Sequence, residues 1–306
     1  METKVIRYGY SVTNVIAVVG PTAAGKTALG IALASVLGGE VVNADSMQLY
    51  RGMDIGTAKV TPVEAAGIPH HVLDIWDVTE PASVAEYQRL ARTAIDSLLN
   101  AGRTPILVGG SGLYVRAVLD DFDFPGTDPA IRARLEAELA ALGPQAMHAR
   151  LPAEIADRIL DSNGRRIVRA LEVIELTGSF TAALPAEPVP HYPAIQLGVD
   201  LDPAALDERV ALRVDRMFEA GLVDEVRGLI PLGLREGRTA RAALGYAQVL
   251  KYLDGEIGEA AARAETVSTT RRFVRRQRSW FRRDDRIHWL QGPGLLAEAL
   301  EVVKAG

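Results

Sequence analysis

A chain of 306 residues with 48% apolar side chains has room for one large or two ordinary domains and enough apolar surface for a sizeable core. The formal net charge of −5 excludes indiscriminate nucleic-acid binding, so any RNA contact must come from a local basic patch. The lack of cysteine excludes disulfides and Cys-type zinc sites. No stretch reaches the roughly 18 apolar residues of a membrane span. The opening METKVIRYGYSVTN shows no signal-peptide apolar region, so a soluble cytoplasmic chain with no membrane association is the expectation.

The β-branched run Val15 to Val19 predicts a strand, and Ala28 to Leu37 predicts a helix. Between them stands Gly20-Pro21-Thr22-Ala23-Ala24-Gly25-Lys26-Thr27, the strand–loop–helix setting of a P-loop. Gly20 and Gly25 let the backbone wrap with N–H groups inward, and the helix N-terminus adds a positive dipole end. Lys26 supplies a point charge, and the Thr27 hydroxyl can hold Mg²⁺. The alternative, a plain Gly-rich turn, leaves the adjacent Lys and Thr without a reason. The motif fits a bound nucleotide such as ATP or another polyphosphate.

Glu40–Ala44 predicts a second strand, ending at Asp45, and His70–Asp74 predicts another. Ser83-Val84-Ala85-Glu86 reads as a capping box opening a helix to about Asn100. Pro105–Val108 predicts a buried strand running into Gly109-Gly110-Ser111-Gly112. Alternating strands and helices imply an α/β fold, a P-loop NTPase-like parallel sheet with right-handed crossovers. Ligands gather at the carboxyl ends of such strands, so Thr27, Asp45 and Ser111 should converge. The strand of Ile106 to Val108 ends in Gly-Gly rather than in the acid that many P-loop ATPases place there, which disfavours a motor-type ATPase. Asp45 is the acid left near the loop; its alternative reading is a turn or cap residue.

Composition changes near Asp120. The segment from Asp121 to Thr127 reads as a linker, and Pro129 opens an Ala/Arg/Glu-rich helix to about Leu142. A second helix runs from Arg165 to Thr177 and is ended by Gly178, and Ala182–Pro193 reads as a second linker. Ile195–Leu201 predicts a strand, with Asp202-Pro203 capping the next helix. The expected organisation is a core of residues 1–119 and 195–306 interrupted by an all-helical insertion domain at 120–194.

Near the C-terminus, Arg271, Arg275, Arg278 and Arg282 fall on one helical face, interleaved with Phe273, Trp280 and Phe281. Guanidinium groups suit phosphate oxygens and stack on bases. The competing reading is a solvated face over core aromatics; the arginine density in an acidic chain favours a nucleic-acid backbone contact.

These pieces together resemble the bacterial tRNA dimethylallyltransferases, also called tRNA isopentenyltransferases. The resemblance runs over nearly the whole chain: the P-loop, Asp45-Ser46-Met47-Gln48-Leu49-Tyr50, Met53-Asp54-Ile55-Gly56-Thr57-Ala58-Lys59 and His70-His71. It continues through Ser83 to Tyr87, Gly109 to Tyr114, Arg169 to Val173, Gly245-Tyr246, and Thr270-Arg271 through Arg276-Gln277 to Arg282. Ser111 stands where the family usually has threonine, which keeps the hydroxyl, and Val60 stands where proline commonly follows.

The resemblance implies transfer of a dimethylallyl group from dimethylallyl diphosphate to N6 of the adenine 3′ of the anticodon, releasing diphosphate. The P-loop would then hold a diphosphate rather than ATP. Asp45 would be the base and Arg213 would stabilise the leaving diphosphate, with Ser111 nearby. Asp45, Ser46, Met47, Gln48 and Ser111, together with Arg132 and Arg165-Arg166-Ile167-Val168-Arg169, would meet the anticodon stem-loop. The cofactor implied is Mg²⁺, and a monomer is expected. For His70-His71 a backbone-bonding role is favoured over a metal site.

Two other classes stay open on the residues alone, and one near neighbour is argued against by the helical insertion and the basic helix. A P-loop kinase of a small molecule or nucleotide gives no reason for the Arg/aromatic helix. A noncatalytic, nucleotide-gated RNA-binding module leaves Asp45 without a task. An adenylate isopentenyltransferase does not account for the helical insertion.

Overall fold

The run Val15–Val19 is buried along its whole length and feeds two cores by alternation: Val15, Ala17 and Val19 enter one, Ile16 and Val18 the other. A strand buried on both faces must lie inside a sheet with helices on each side. The computed structural model, which describes residues 14–121, 124–179, 188–292 and 294–305, has that architecture. Strands β1 (Val15–Val19), β2 (Glu40–Asn43), β3 (His70–His71), β4 (Pro105–Gly109), β5 (Ala194–Val199) and β6 (Ile287–Leu290) form one parallel sheet in the order β3-β2-β4-β1-β5-β6. Val18 of β1 stands opposite Val108 of β4 and Leu197 of β5.

The chain is completed by α1 (Lys26–Leu37), α2 (Pro62–Ala65), α3 (Val84–Asn100), α4 (Gly112–Leu119), α5 (Pro129–His148), α6 (Ala153–Ala156) and α7 (Gly164–Thr177). After β5 come α8 (Pro203–Glu219), α9 (Leu222–Leu229), α10 (Tyr246–Leu253), α11 (Glu259–Phe281) and α12 (Leu295–Ala305). One core takes side chains from α3, α4, α9 and α10; the opposite core takes Leu29 and Leu33 of α1 and Ala299 and Val303 of α12. This sandwich aims the ends of β1, β2 and β4 at a common edge, the region where parallel sheets bind ligands.

Three elements differ from expectation. The strand expected over His70–Asp74 stops at His71, because Val72 and Asp74 adopt positive φ (60° and 53°) and turn the chain out of the ladder. Ser83 caps α3 by accepting the Glu86 amide at 3.2 Å, but the Glu86 carboxylate accepts the Trp76 indole N–H at 3.1 Å instead of returning to Ser83. The capping box is therefore half closed. The strand expected over Ile195–Leu201 starts at Ala194 and ends at Val199. Strand β6 and helix α12 add to what the sequence pattern predicts.

Two compact units emerge: residues 1–120 with 190–306, and Asp121–Val189. Tyr192, read from the sequence as linker, belongs to the first; its ring is buried and its hydroxyl donates to Asp96 at 2.7 Å. The second unit has its own core of Leu135, Met147, Ile167, Val168 and Leu171. Its α5 breaks at Gly143 (φ 79°) before Pro144, the point where the sequence predicts the helix to end. Parts of both expected linkers, 122–123 and 182–187, lie outside the described residues, as does the opening stretch 1–13.

Candidate active site

The P-loop leaves β1 at Gly20, whose φ is 139°; a Cβ there would sit 2.1 Å from the carbonyl oxygen of Val199 at the end of β5. Only glycine passes this close to the neighbouring strand. The tight wrap also forces Ala23 into the left-handed region at φ 68°. Lys26, at the first turn of α1, donates to the carbonyl of Pro21 at 2.7 Å, so the loop closes around its own ammonium. Loss of hydration pushes that ammonium down to about 8; the Asp45 carboxylate opposes the shift and Arg213 adds to it.

Asp45 follows β2. Its backbone N–H donates to Asn43 Oδ1 at 2.9 Å, and the Asn43 amide returns to the Asp45 carbonyl at 3.1 Å. Its Oδ1 accepts the Met47 amide at 3.0 Å, the Asx-type turn that fixes a carboxylate on a loop. That leaves Oδ2 as the oxygen available to take a proton. Ser111, after β4, accepts the Ser46 amide and donates to the Ser46 hydroxyl, both at 3.2 Å, tying the loops after β2 and β4 together. Beneath them Tyr87 donates to the Asn43 carbonyl at 2.9 Å, and its ring packs 4.7 Å from that of Tyr114.

Two cavities meet at Asp45, Thr22 and Arg213. One, about 60 Å³, is lined by Lys26, Thr27, Asn43 and Gln48. The other, about 300 Å³, is mostly apolar, lined by Met47, Val210, Val214, Met217, Leu244 and Phe273, with Arg276 among its polar groups. Arg213 comes from α8 and donates to the Thr57 carbonyl at 3.2 Å. Loss of hydration lowers its proton affinity and the nearby Asp45 charge raises it, with a net lowering. A charged half and an apolar half, with a carboxylate and a guanidinium at their junction, suit a substrate with an anionic head and a hydrocarbon tail.

Gln277 of α11 is a residue to which the sequence reading gives no role. Its side chain accepts the Thr22 amide at 2.9 Å and donates to the Gly110 carbonyl at 2.8 Å, stapling the P-loop to the loop after β4. One signal does mark it: Thr270, Val274, Gln277 and Phe281 form the buried stripe of α11, and a glutamine in such a stripe needs partners on both ends of its amide.

The residues proposed to meet RNA separate into several groups. Ile167 and Val168 are core residues of the insertion unit and present no surface, because they lie on the inward face of α7. Arg165 and Arg166 on the same helix are exposed. Arg132 and Arg169 both pair with the buried Glu172, and Arg169 also donates to the carbonyls of Pro125 and Gly126. Burial works against charge on Glu172, but the two guanidinium groups override it and hold its carboxyl below the usual range.

On α11 the expected stripe is engaged in ion pairs within the chain, while Arg275 and Arg282 themselves stay exposed. Arg278 and Arg282 pair with Asp200 at 3.0 and 2.8 Å, and Arg271 and Arg275 approach Asp207 at 3.7 and 3.9 Å. Without carboxylate partners among the described residues are Arg272 and Arg276 on α11 and Arg283 just after it, all exposed, and Trp280 of the same helix is 37% exposed. His70 bonds the Ile68 carbonyl at 2.9 Å, and His71 pairs with Glu40 at 2.6 Å.

The family model described as IPP transferase matches residues 48–284. A tRNA dimethylallyltransferase of Salinispora arenicola is 69% identical over 298 residues, covering 95% of this chain and 87% of that one. One from Streptomyces avermitilis is 70% identical over 283 residues, covering 91% and 90%. Among solved structures, the full-length tRNA isopentenylpyrophosphate transferase of Bacillus halodurans superimposes with a TM-score of 0.70 at 39% identity, covering 96% of this chain and 95% of that one. A eukaryotic dimethylallyltransferase acting on tRNA gives 0.76 at 26% identity, covering 88% and 69%.

Proposed function

The chain belongs to the IPP transferase family, and from that premise we propose that it transfers a dimethylallyl group from dimethylallyl diphosphate to N6 of the adenine 3′ of the tRNA anticodon. The observation that carries the reading is the junction of the two cavities at Asp45 and Arg213. The diphosphate belongs in the charged cavity with the P-loop N–H groups, Lys26 and Arg213, and the hydrocarbon in the apolar one. The C–O bond to diphosphate breaks, its electron pair leaving with the diphosphate, while the amine nitrogen forms the new C–N bond. The amine's proton passes to Asp45.

An aryl amine is a weak nucleophile, so the site must hold it at the allylic carbon, and the base must leave its stack to get there. Arg165 and Arg166 of the insertion, with Arg272 and Arg276 of α11 and Arg283 just after it, supply the cationic groups for the RNA backbone. Mg²⁺ is the proposed cofactor. Thr27, which lines the charged cavity beside Lys26, would hold the ion through its hydroxyl, a hard oxygen donor suited to it. Among the described residues no three His, Cys, Asp or Glu side chains form a metal cage, so the ion would depend on diphosphate oxygens as further ligands. When bound it supplies neutralisation of the leaving group's charge.

One chain carries every group named here, which supports a monomer as the working unit. Among the described residues no helix is long and apolar enough to cross a membrane, and a tRNA substrate fits a cytoplasmic enzyme. The test is mass spectrometry of tRNA nucleosides after incubation with dimethylallyl diphosphate and Mg²⁺. A prenylated adenosine is expected; turnover of ATP with a small acceptor and no modified nucleoside would return the site to a kinase.

A further inference from the structure

Glu225 of α9 lies about 170 residues from the loop it holds, and three backbone amides of that loop donate to its carboxylate. Its Oε2 accepts the amides of Asp54 and Ile55 at 3.0 and 2.7 Å. Its Oε1 accepts the Gly56 amide at 3.1 Å and the Tyr246 hydroxyl. Burial and the Glu225 charge push the Tyr246 phenol far up, so it stays a donor. Gly56 packs against that ring so closely that a Cβ would lie 2.4 Å from it. Lys59 fastens the far end of the loop through Asp54, Asp74 and the Tyr50 carbonyl.

What this loop offers to the cavities is two carbonyl groups. The Thr57 carbonyl accepts from Arg213 and from Gln48, each at 3.2 Å, and the Ala58 carbonyl accepts from Gln48 at 3.2 Å. Arg213 has no carboxylate partner at ion-pair distance among the described residues, so the Thr57 carbonyl is the contact that orients it. We propose that Glu225 and Tyr246 are positioning residues for transfer: their grip on the 54–56 amides sets the Thr57 carbonyl, and through it aims Arg213 at the donor diphosphate.

The inference rests on the reading of Arg213 as the diphosphate arginine, and a double-mutant cycle keeps the two apart. Glu225→Gln replaces an acceptor with an amide group that cannot serve all the N–H donors. Single-turnover transfer should fall about 10- to 100-fold, the scale of a misplaced catalytic group. In an Arg213→Ala background the same change should cost less than about twofold, since the guanidinium it aims is gone. Tyr246→Phe keeps the ring and removes one donor, so it should give a smaller loss with the same dependence on Arg213, without a loss of folding. tRNA affinity should not move in either variant. Equal losses in both backgrounds would make the clamp merely structural and overturn the inference. Arg213→Ala transferring at the normal rate would overturn the reading of Arg213, and the inference with it.

Discussion

At Lys26 the local chemistry gives a pH signature. Its ammonium titrates at about 8 because the loop strips its hydration. Donor kcat/KM reports the free enzyme, so it should be level below that pH and fall above it with a logarithmic slope of about −1. At saturating donor the break should move upward, because bound diphosphate holds the proton in place. The sign for stability is opposite: above about 8 the unfolded chain keeps a lysine proton that the folded chain has shed, so folding gains as pH rises toward the ordinary lysine value. A donor profile without a break, or one kept intact in Lys26→Met, would refute the assignment.

At Asp45 the expectation is kinetic. Asp45→Asn should keep donor affinity and lower the single-turnover rate by about 10²-fold or more; an unchanged rate would leave Asp45 as a turn residue serving Met47. Lys26, Thr27, Asp45 and Ser111 are legible in the sequence because each follows a readable strand. Arg213 is reached by resemblance alone, as its helix shows no local mark. Gln277 and Glu225 act on partners 255 and about 170 residues away, and no local spacing encodes such a bond.

Among the elements, α11 shows how a helical stripe can be legible in phase while its carboxylate partners are not. Spacing places Arg271, Arg275, Arg278 and Arg282 together, but it is silent on which way that face points. Asp200, just after β5, and Asp207 of α8 pair with the stripe, though Arg275 and Arg282 stay exposed. Arg278→Ala should therefore act on stability, costing about 1–3 kcal/mol for the largely buried Asp200 left short of a partner, with tRNA affinity unchanged. An Arg272→Ala, Arg276→Ala double variant should weaken tRNA binding and flatten its salt dependence by about one unit of log–log slope per lost phosphate contact. Thermal melts and a salt series on both variants decide it; a reversed pattern would assign the RNA contact to the Asp-paired stripe instead. The sheet's middle strands are legible because they are buried on both faces, whereas of the short edge strands β3 is read too long and β6 is missed, their patterns carrying little signal.

At the scale of the molecule, a chain of net charge −5 must bind an anionic polymer through patches, so losing one unit's surface should be felt in tRNA binding before donor binding. The unit Asp121–Val189 gives a way to test this, because it holds its own apolar core and its own buried charge cluster at Glu172. Leu135 is fully buried in that core, and Leu135→Ala should cost about 2–5 kcal/mol, set by how far the site can collapse. With the cores separate, the loss should open Asp121–Val189 alone, visible as faster amide exchange there and unchanged exchange through β1, α1 and β4. Diphosphate affinity should hold while KM for tRNA rises, since Arg165 and Arg166 would sit on a loosened helix. Unchanged KM for tRNA with faster exchange in the insertion would remove that unit from the RNA surface. Loss of diphosphate affinity alongside would mean that the two cores unfold as one.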